Sequence, residues 1–178
     1  MSASKSILTD ALQTKLCGHP FNSDYRSIIR FFEIQGNEDM SEEEKAREIV
    51  TVLFPAGAPD SEKLGDELRS FITMGEDTHD DGEKVFDFRI DASRIYASFY
   101  QAYKIDLSKE ALHWWAFISL FNALPEDTII RKVIDIRTKK IDPKMSEKER
   151  TALVRAKDRF SLNKASDDHG LGVLFRRK

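Results

Sequence analysis

The residues with the chemistry to bind a metal or attack a substrate are few here, and their spacing argues against either use. The stretch Asp77-Thr78-His79-Asp80-Asp81-Gly82 brushes the calcium-loop pattern, with Asp77 at position one, His79 at three, Asp81 at five and Gly82 at six. Position twelve is then Phe88, where the ion needs a bidentate glutamate, so the match fails at its most demanding ligand. A solvated, mobile acidic loop from 74 to 84 is the expectation. The four histidines, His19, His79, His113 and His169, form no HExxH pair and have no companion cysteines for zinc. Cys17 stands alone, without an evident positive neighbour to stabilise its thiolate. Walker, GxGxxG and GxSxG patterns are all missing. The expectation is no catalytic residue, no cofactor and no metal.

Charge is more informative. Residues 1 to 128 carry 13 Lys+Arg against 24 Asp+Glu, while residues 129 to 178 carry 15 against 7. The overall net charge of -3 therefore hides an acidic body and a basic end. Such a split fits a nucleic-acid tail, an interaction segment or head-to-tail self-association. Arg131, Lys132, Arg137, Lys139, Lys140 and Lys144 could neutralise phosphates. Interspersed acids and a pI near 5.9 weigh against a dedicated nucleic-acid binder.

The elements that must position these groups are mostly helices. "TKLCGHPFNSD" (14 to 24) alternates around Gly18 and Pro20, which predicts a small hairpin within about residues 7 to 22, turning near Cys17-Gly18-His19. Tyr25, Ile28, Ile29 and Phe32 then follow helical spacing, stopped by Gly36-Asn37. Ser41 and Glu44 make a capping box for a helix with the stripe Ala46, Ile49, Val50 and Leu53. Asp60 or Ser61 caps the next, with Leu64, Leu68, Phe71 and Ile72. Asp91 is placed as the cap of a helix carrying Ile95, Tyr96, Phe99, Tyr100 and Tyr103. A helix from about 108 to 123 follows, capped by Asp106 or Ser108. Pro125-Glu126-Asp127 is expected to open another, with Ile129, Ile130, Val133 and Ile134 inward. Ser146 and Glu149 form a second capping box for a basic helix through about Phe160, with a thin stripe of Leu153, Ala156 and Phe160. The fold class is mainly α, a compact bundle of six or seven helices with a small N-terminal β-hairpin. A single helical domain over 1–162 is expected, followed by a flexible basic tip at 163–178.

"ALHWWAFISLF" (111 to 121) is apolar on nearly every side, the mark of a helix surrounded by others. Trp114 and Trp115 point about 100° apart. A core role explains both more simply than ligand stacking, since aromatic helical stripes are mostly packing.

Several stretches resemble the bacteriophage gp-fifteen family, small tailed-phage and prophage proteins encoded beside the tape-measure gene. They are "FNSDYRSIIRFFE", "MSEEEKA" with "LFP", "VFDFRIDASRIYASFYQAYKIDL" and "LHWWAFISLFNALPEDTIIRKVIDIRTKKI". The resemblance spans about residues 7 to 162. It rests on Asp91, Ile95, Tyr96, Ala97 and Phe99, on His113, Trp114 and Trp115, and on Leu124, Glu126, Asp127 and Thr128. It carries no catalytic residues. It implies a tail assembly chaperone that binds the tape-measure protein and other tail assembly proteins during tail-tube assembly. The alternatives are a structural tail or head–tail connector component and a small nucleic-acid-binding regulator. Arg150, Arg155, Lys157 and Arg159 are the candidate partner-binding residues, and a homo-oligomer fits the opposed charge. With no apolar run near the ~18 residues of a membrane span and no signal-like start, the expected location is the host cytoplasm.

Overall fold

The computed structural model describes residues 7–8, 11–76 and 84–162. The readings of the 77-to-82 loop and of the 163–178 tip lie outside the described residues. Two short strands, β1 (Lys15–Leu16) and β2 (His19–Pro20), pair antiparallel with Leu16 opposite His19. Cys17 and Gly18 between them have φ of 47° and 78°. Two consecutive left-handed residues are what a two-residue hairpin turn of the primed type requires. The paired part of the predicted hairpin is thus confined to residues 15 to 20.

Seven helices follow among the described residues: α1 (Tyr25–Gln35), α2 (Glu42–Leu53), α3 (Leu64–Ile72), α4 (Ala92–Tyr103), α5 (Trp114–Asn122), α6 (Ile129–Thr138) and α7 (Glu147–Arg159). The protein is mainly α with an N-terminal hairpin, as its patterning predicts. None of these helices is long and apolar enough to cross a membrane. The chain divides into two compact units: Met1–Gly82 with Ile105–Ala123, and Glu83–Lys104 with Leu124–Lys178.

In the first unit, Trp114 and Trp115 are both 3% exposed. Their indole Nε1 atoms donate to different carbonyls, Trp114 to Ile72 at 3.0 Å and Trp115 to Phe71 at 2.7 Å. Each ring therefore hides its apolar area without leaving its N–H unpaired. Phe71 stacks on Trp115 with centroids 5.6 Å apart, and Phe117 stacks on both Trp114 and Tyr25. The Tyr25 hydroxyl donates to the Leu107 carbonyl at 2.6 Å.

Some predicted details differ. The helix expected from 108 begins only at Trp114, because Asp24 and His113 form an antiparallel bridge that holds the preceding backbone extended. Asp106 instead closes a local turn, its Oδ1 accepting from the Ser108 N–H at 3.0 Å. On α2 the Ser41–Glu44 capping box is present. Its inward residues are Lys45, Ile49, Val52 and Leu53, whereas Ala46 is exposed and Val50 is 38% exposed. Both sets have helical spacing, and packing against α1 selects the first. Helix α3 has no side-chain cap; Ser61 Oγ accepts from the Lys63 N–H at 3.3 Å, one residue before the helix.

In the second unit, α4 and α6 pack through Ile95, Phe99, Ile130 and Val133, all buried. Ser98 Oγ donates to the Arg94 carbonyl and accepts from the Ile130 N–H at 3.2 Å, satisfying an otherwise orphaned donor in the first turn of α6. That helix starts at Ile129 and not at Pro125, because Thr128 turns back to donate through both N–H and Oγ to the Pro125 carbonyl. Ile129, expected inward, is 40% exposed. Tyr96, expected in the core, is 38% exposed and Tyr100 52%. The two rings stack on each other along the helix flank, 6.4 Å apart.

Because both tryptophans lie in the first unit, their fluorescence follows its unfolding. Trp115→Phe keeps most of the ring volume but removes the indole donor from the Phe71 carbonyl, which retains the Met74 N–H at 3.3 Å. It should lower stability by about 0.5–1.5 kcal/mol, read as a lower urea midpoint of the remaining Trp114 emission. An unchanged midpoint would mean that this bond contributes nothing to the stability of the unit.

Candidate functional site

A buried carboxylate organises the second unit. Asp91 stands at the cap position of α4 but makes no capping bond. Its side chain is wholly buried and accepts four hydrogen bonds instead. Oδ1 takes the Arg94 guanidinium at 2.7 Å and Arg137 at 3.0 Å; Oδ2 takes Arg137 at 2.6 Å and the Asp87 N–H at 3.1 Å. Arg137 and Asp91 thus form a bidentate pair, the strong geometry for guanidinium and carboxylate. Arg137 also donates to the Val85 carbonyl at 3.0 Å and, through Nε, to the Phe160 carbonyl at 2.6 Å. One side chain ties together the segment before α4, α4 itself, α6 and the end of α7.

The sequence grouped Arg137 with the basic residues available to phosphate. Its place is internal. The available signal was spacing, since Ile130, Val133 and Arg137 fall at i, i+3 and i+7 on the inward stripe of α6.

Helix α7 has its predicted capping box at Ser146 and Glu149, and none of its 13 residues is buried. Leu153 and Ala156 are half-buried. The helix is held largely at its end: Lys157 Nζ donates to the Arg137 carbonyl at 2.7 Å, and Arg94 lies over the Phe160 ring at 5.5 Å. Lys157, predicted to meet a partner, is therefore engaged within its own unit. Arg155 and Arg159, four residues apart, share an outward face with Lys148, seven residues before Arg155. Arg150 is exposed but lies about 140° round the helix from Arg155. The face holds a shallow depression of about 520 Å³ lined by Glu147, Lys148, Thr151, Ala152 and Arg155. All five belong to one helix, so this is surface relief and not an enclosed cavity.

In the first unit His113 serves as the cap of α5. Its Nδ1 accepts from the Trp115 N–H at 3.2 Å, and Nε2 donates to the Gln13 carbonyl at 2.9 Å. This pairing requires the neutral ring with its proton on Nε2. Burial lowers its pKa from the ordinary 6.5, opposed by the bond to Gln13. Phe71 and Trp115 set their ring edges or faces against the imidazole. Among the described residues no three His, Cys, Asp or Glu side chains gather as a metal site would require.

The fold and these sites define a mainly helical protein whose buried charged and polar groups are engaged in holding its own elements. It belongs to the Bacteriophage Gp15 protein family, whose model matches residues 7–162. No curated protein and no solved structure matches the chain.

Two outcomes follow from this geometry. Asp91→Asn leaves Arg137 charged in a site built for its partner and should cost about 3–5 kcal/mol. The double replacement Asp91→Leu with Arg137→Leu removes both charges but leaves Arg94, the Asp87 N–H and the Val85 and Phe160 carbonyls without these partners, so it should recover none of that loss. Urea unfolding followed by far-UV circular dichroism measures both, and a loss under about 1 kcal/mol in Asp91→Asn would remove the pair from its organising role.

His113 sets the sign of a pH dependence. Its pKa is lower folded than unfolded, so the unfolded chain binds the proton first as pH falls. Its contribution is fully present above about pH 6.5 and is lost as pH drops through that value toward the folded pKa. A proton on Nδ1 would also remove the cap and place positive charge at the N-terminus of α5. In His113→Asn, which keeps a capping side chain, the tryptophan-detected urea midpoint should vary less between about pH 7 and pH 5 than in the natural protein. The same acid slope in both would sink this assignment.

Proposed function

We propose that this member of a phage protein family acts in tail morphogenesis as a chaperone that binds the tape-measure chain while the tail tube is assembled. The reading is one of binding without chemistry. The observation that carries it, beside the family itself, is where the polar groups go. Among the described residues every buried side-chain nitrogen or oxygen has a hydrogen-bond partner. Asp91, Arg137 and His113 support helices, so helix surfaces are what remain for recognition. A tape-measure chain offers long amphipathic helices whose apolar stripes need cover before assembly, and helical faces are suited to that task. Many copies along one chain would add avidity.

Co-expression of the full-length protein with a fragment of the tape-measure chain should give a complex that survives affinity purification and gel filtration. Mass spectrometry of purified virions should find the protein absent from finished particles. Stoichiometric retention in the virion would assign it instead to the tail or head–tail connector. Binding to random duplex DNA with a steep salt dependence, without the tape-measure complex, would favour a nucleic-acid role.

A further inference from the structure

The structure redraws the charge split of the sequence. Counted by compact unit among the described residues, the first unit has 8 Lys+Arg against 15 Asp+Glu, and the second has 15 against 9. The opposed charge is therefore already present between the described parts of the two units. Each body also presents a helix with a broad exposed face.

On the basic unit that helix is α7. Lys148, Arg155 and Arg159 share its outward side, and Val154 is 47% exposed. Its acids in this region are Glu147, Glu149 and Asp158, of which Glu149 is taken by the capping box. On the acidic unit it is α2. Glu43 and Glu48 are exposed on its two flanks, about 140° apart with Arg47 between them; Glu44 is exposed but taken by the capping box, and Ala46 and the 38% exposed Val50 are exposed as well. Lys45 is turned inward against Glu42, leaving Arg47, paired with Glu43, as the cation on the outward side. The helices are 12 and 13 residues long. Laid antiparallel, the acidic first half of α2 meets the basic second half of α7.

We propose that the outward face of α7 docks on the outward face of α2 of a second copy of this chain. Because the two faces differ, the contact is heterologous, and repeated use of it links copies head to tail. Long-range attraction between a basic and an acidic body raises the rate of encounter, and the short charged contacts fix which helices meet. The inference goes beyond the chaperone reading, since self-docking needs no tape-measure chain.

Sedimentation of the full-length protein tests it. In about 0.05 M NaCl the protein should associate with increasing concentration. In about 0.5 M NaCl, where screening is several-fold shorter-ranged, the association constant should fall by about tenfold or more. Arg155→Glu with Arg159→Glu should abolish the low-salt association, as should Glu43→Lys with Glu48→Lys. All four side chains are exposed, although Arg159 also lies over the Phe160 ring at 5.6 Å, and unchanged circular dichroism would verify that both variants fold. Mixing the two variants should restore association into alternating assemblies, because the natural α2 of the first meets the natural α7 of the second and the reversed α7 of the first meets the reversed α2 of the second. A chain that stays monomeric at low salt overturns the proposal, as do variants that associate like the natural protein or a mixture that does not associate. A monomer that still captures a tape-measure fragment through Arg155 and Arg159 also overturns self-docking, while leaving the chaperone function standing.

Discussion

A polar group taken out of water must find its partner inside the protein, and both units are arranged around that constraint. An unpaired buried donor or acceptor costs about 1–3 kcal/mol, and an unpaired charge more. The two indoles of α5 meet it by pointing their N–H groups at consecutive carbonyls, Phe71 and Ile72, at the end of α3. The aromatic area that stabilises the first unit is thereby tied to one approach of α3 to α5. A rotation of either helix would break both bonds at once.

The second unit meets the same constraint with charge. Asp91 is buried, so its carboxylate requires compensation from every side, and Arg137 supplies two of its four hydrogen bonds. Such pairs are weak evidence for stability, because desolvation offsets much of the attraction. Their geometric demand is stricter than that of apolar contact. Bidentate pairing leaves the guanidinium little freedom, and its remaining donors then locate the Val85 and Phe160 carbonyls. This accounts for how α7, with no buried residue of its own, has a defined place in its unit.

The same economy shapes what is left for function. Lys157 and Arg137 were equivalent to their basic neighbours by composition, yet both are engaged in hydrogen bonds within the second unit. Lys148, Arg155 and Arg159 face outward. Separating structural from available cations narrows a diffuse basic segment to one helix face.

Local signals determined a good deal. Helix spacing, the capping boxes at Ser41 and Ser146, the hairpin turn near Cys17-Gly18-His19 and the burial of Trp114 and Trp115 were legible because each depends on residues within a turn or two. The resemblance carried by Asp91 to Phe99 and His113 to Trp115 likewise named the family that the comparison establishes over 7–162. Tertiary structure decided the rest. Asp91 looks like a cap until Arg137, 46 residues away, is brought to it. The start of α5 was set by a backbone bridge from Asp24 to His113. Tyr96 and Tyr100 had the spacing of a buried stripe, but an amphipathic helix can present either flank, and the approach of α6 to Ser98 selected the other one. Periodicity identifies which residues share a face; only the partner that arrives determines which face is covered.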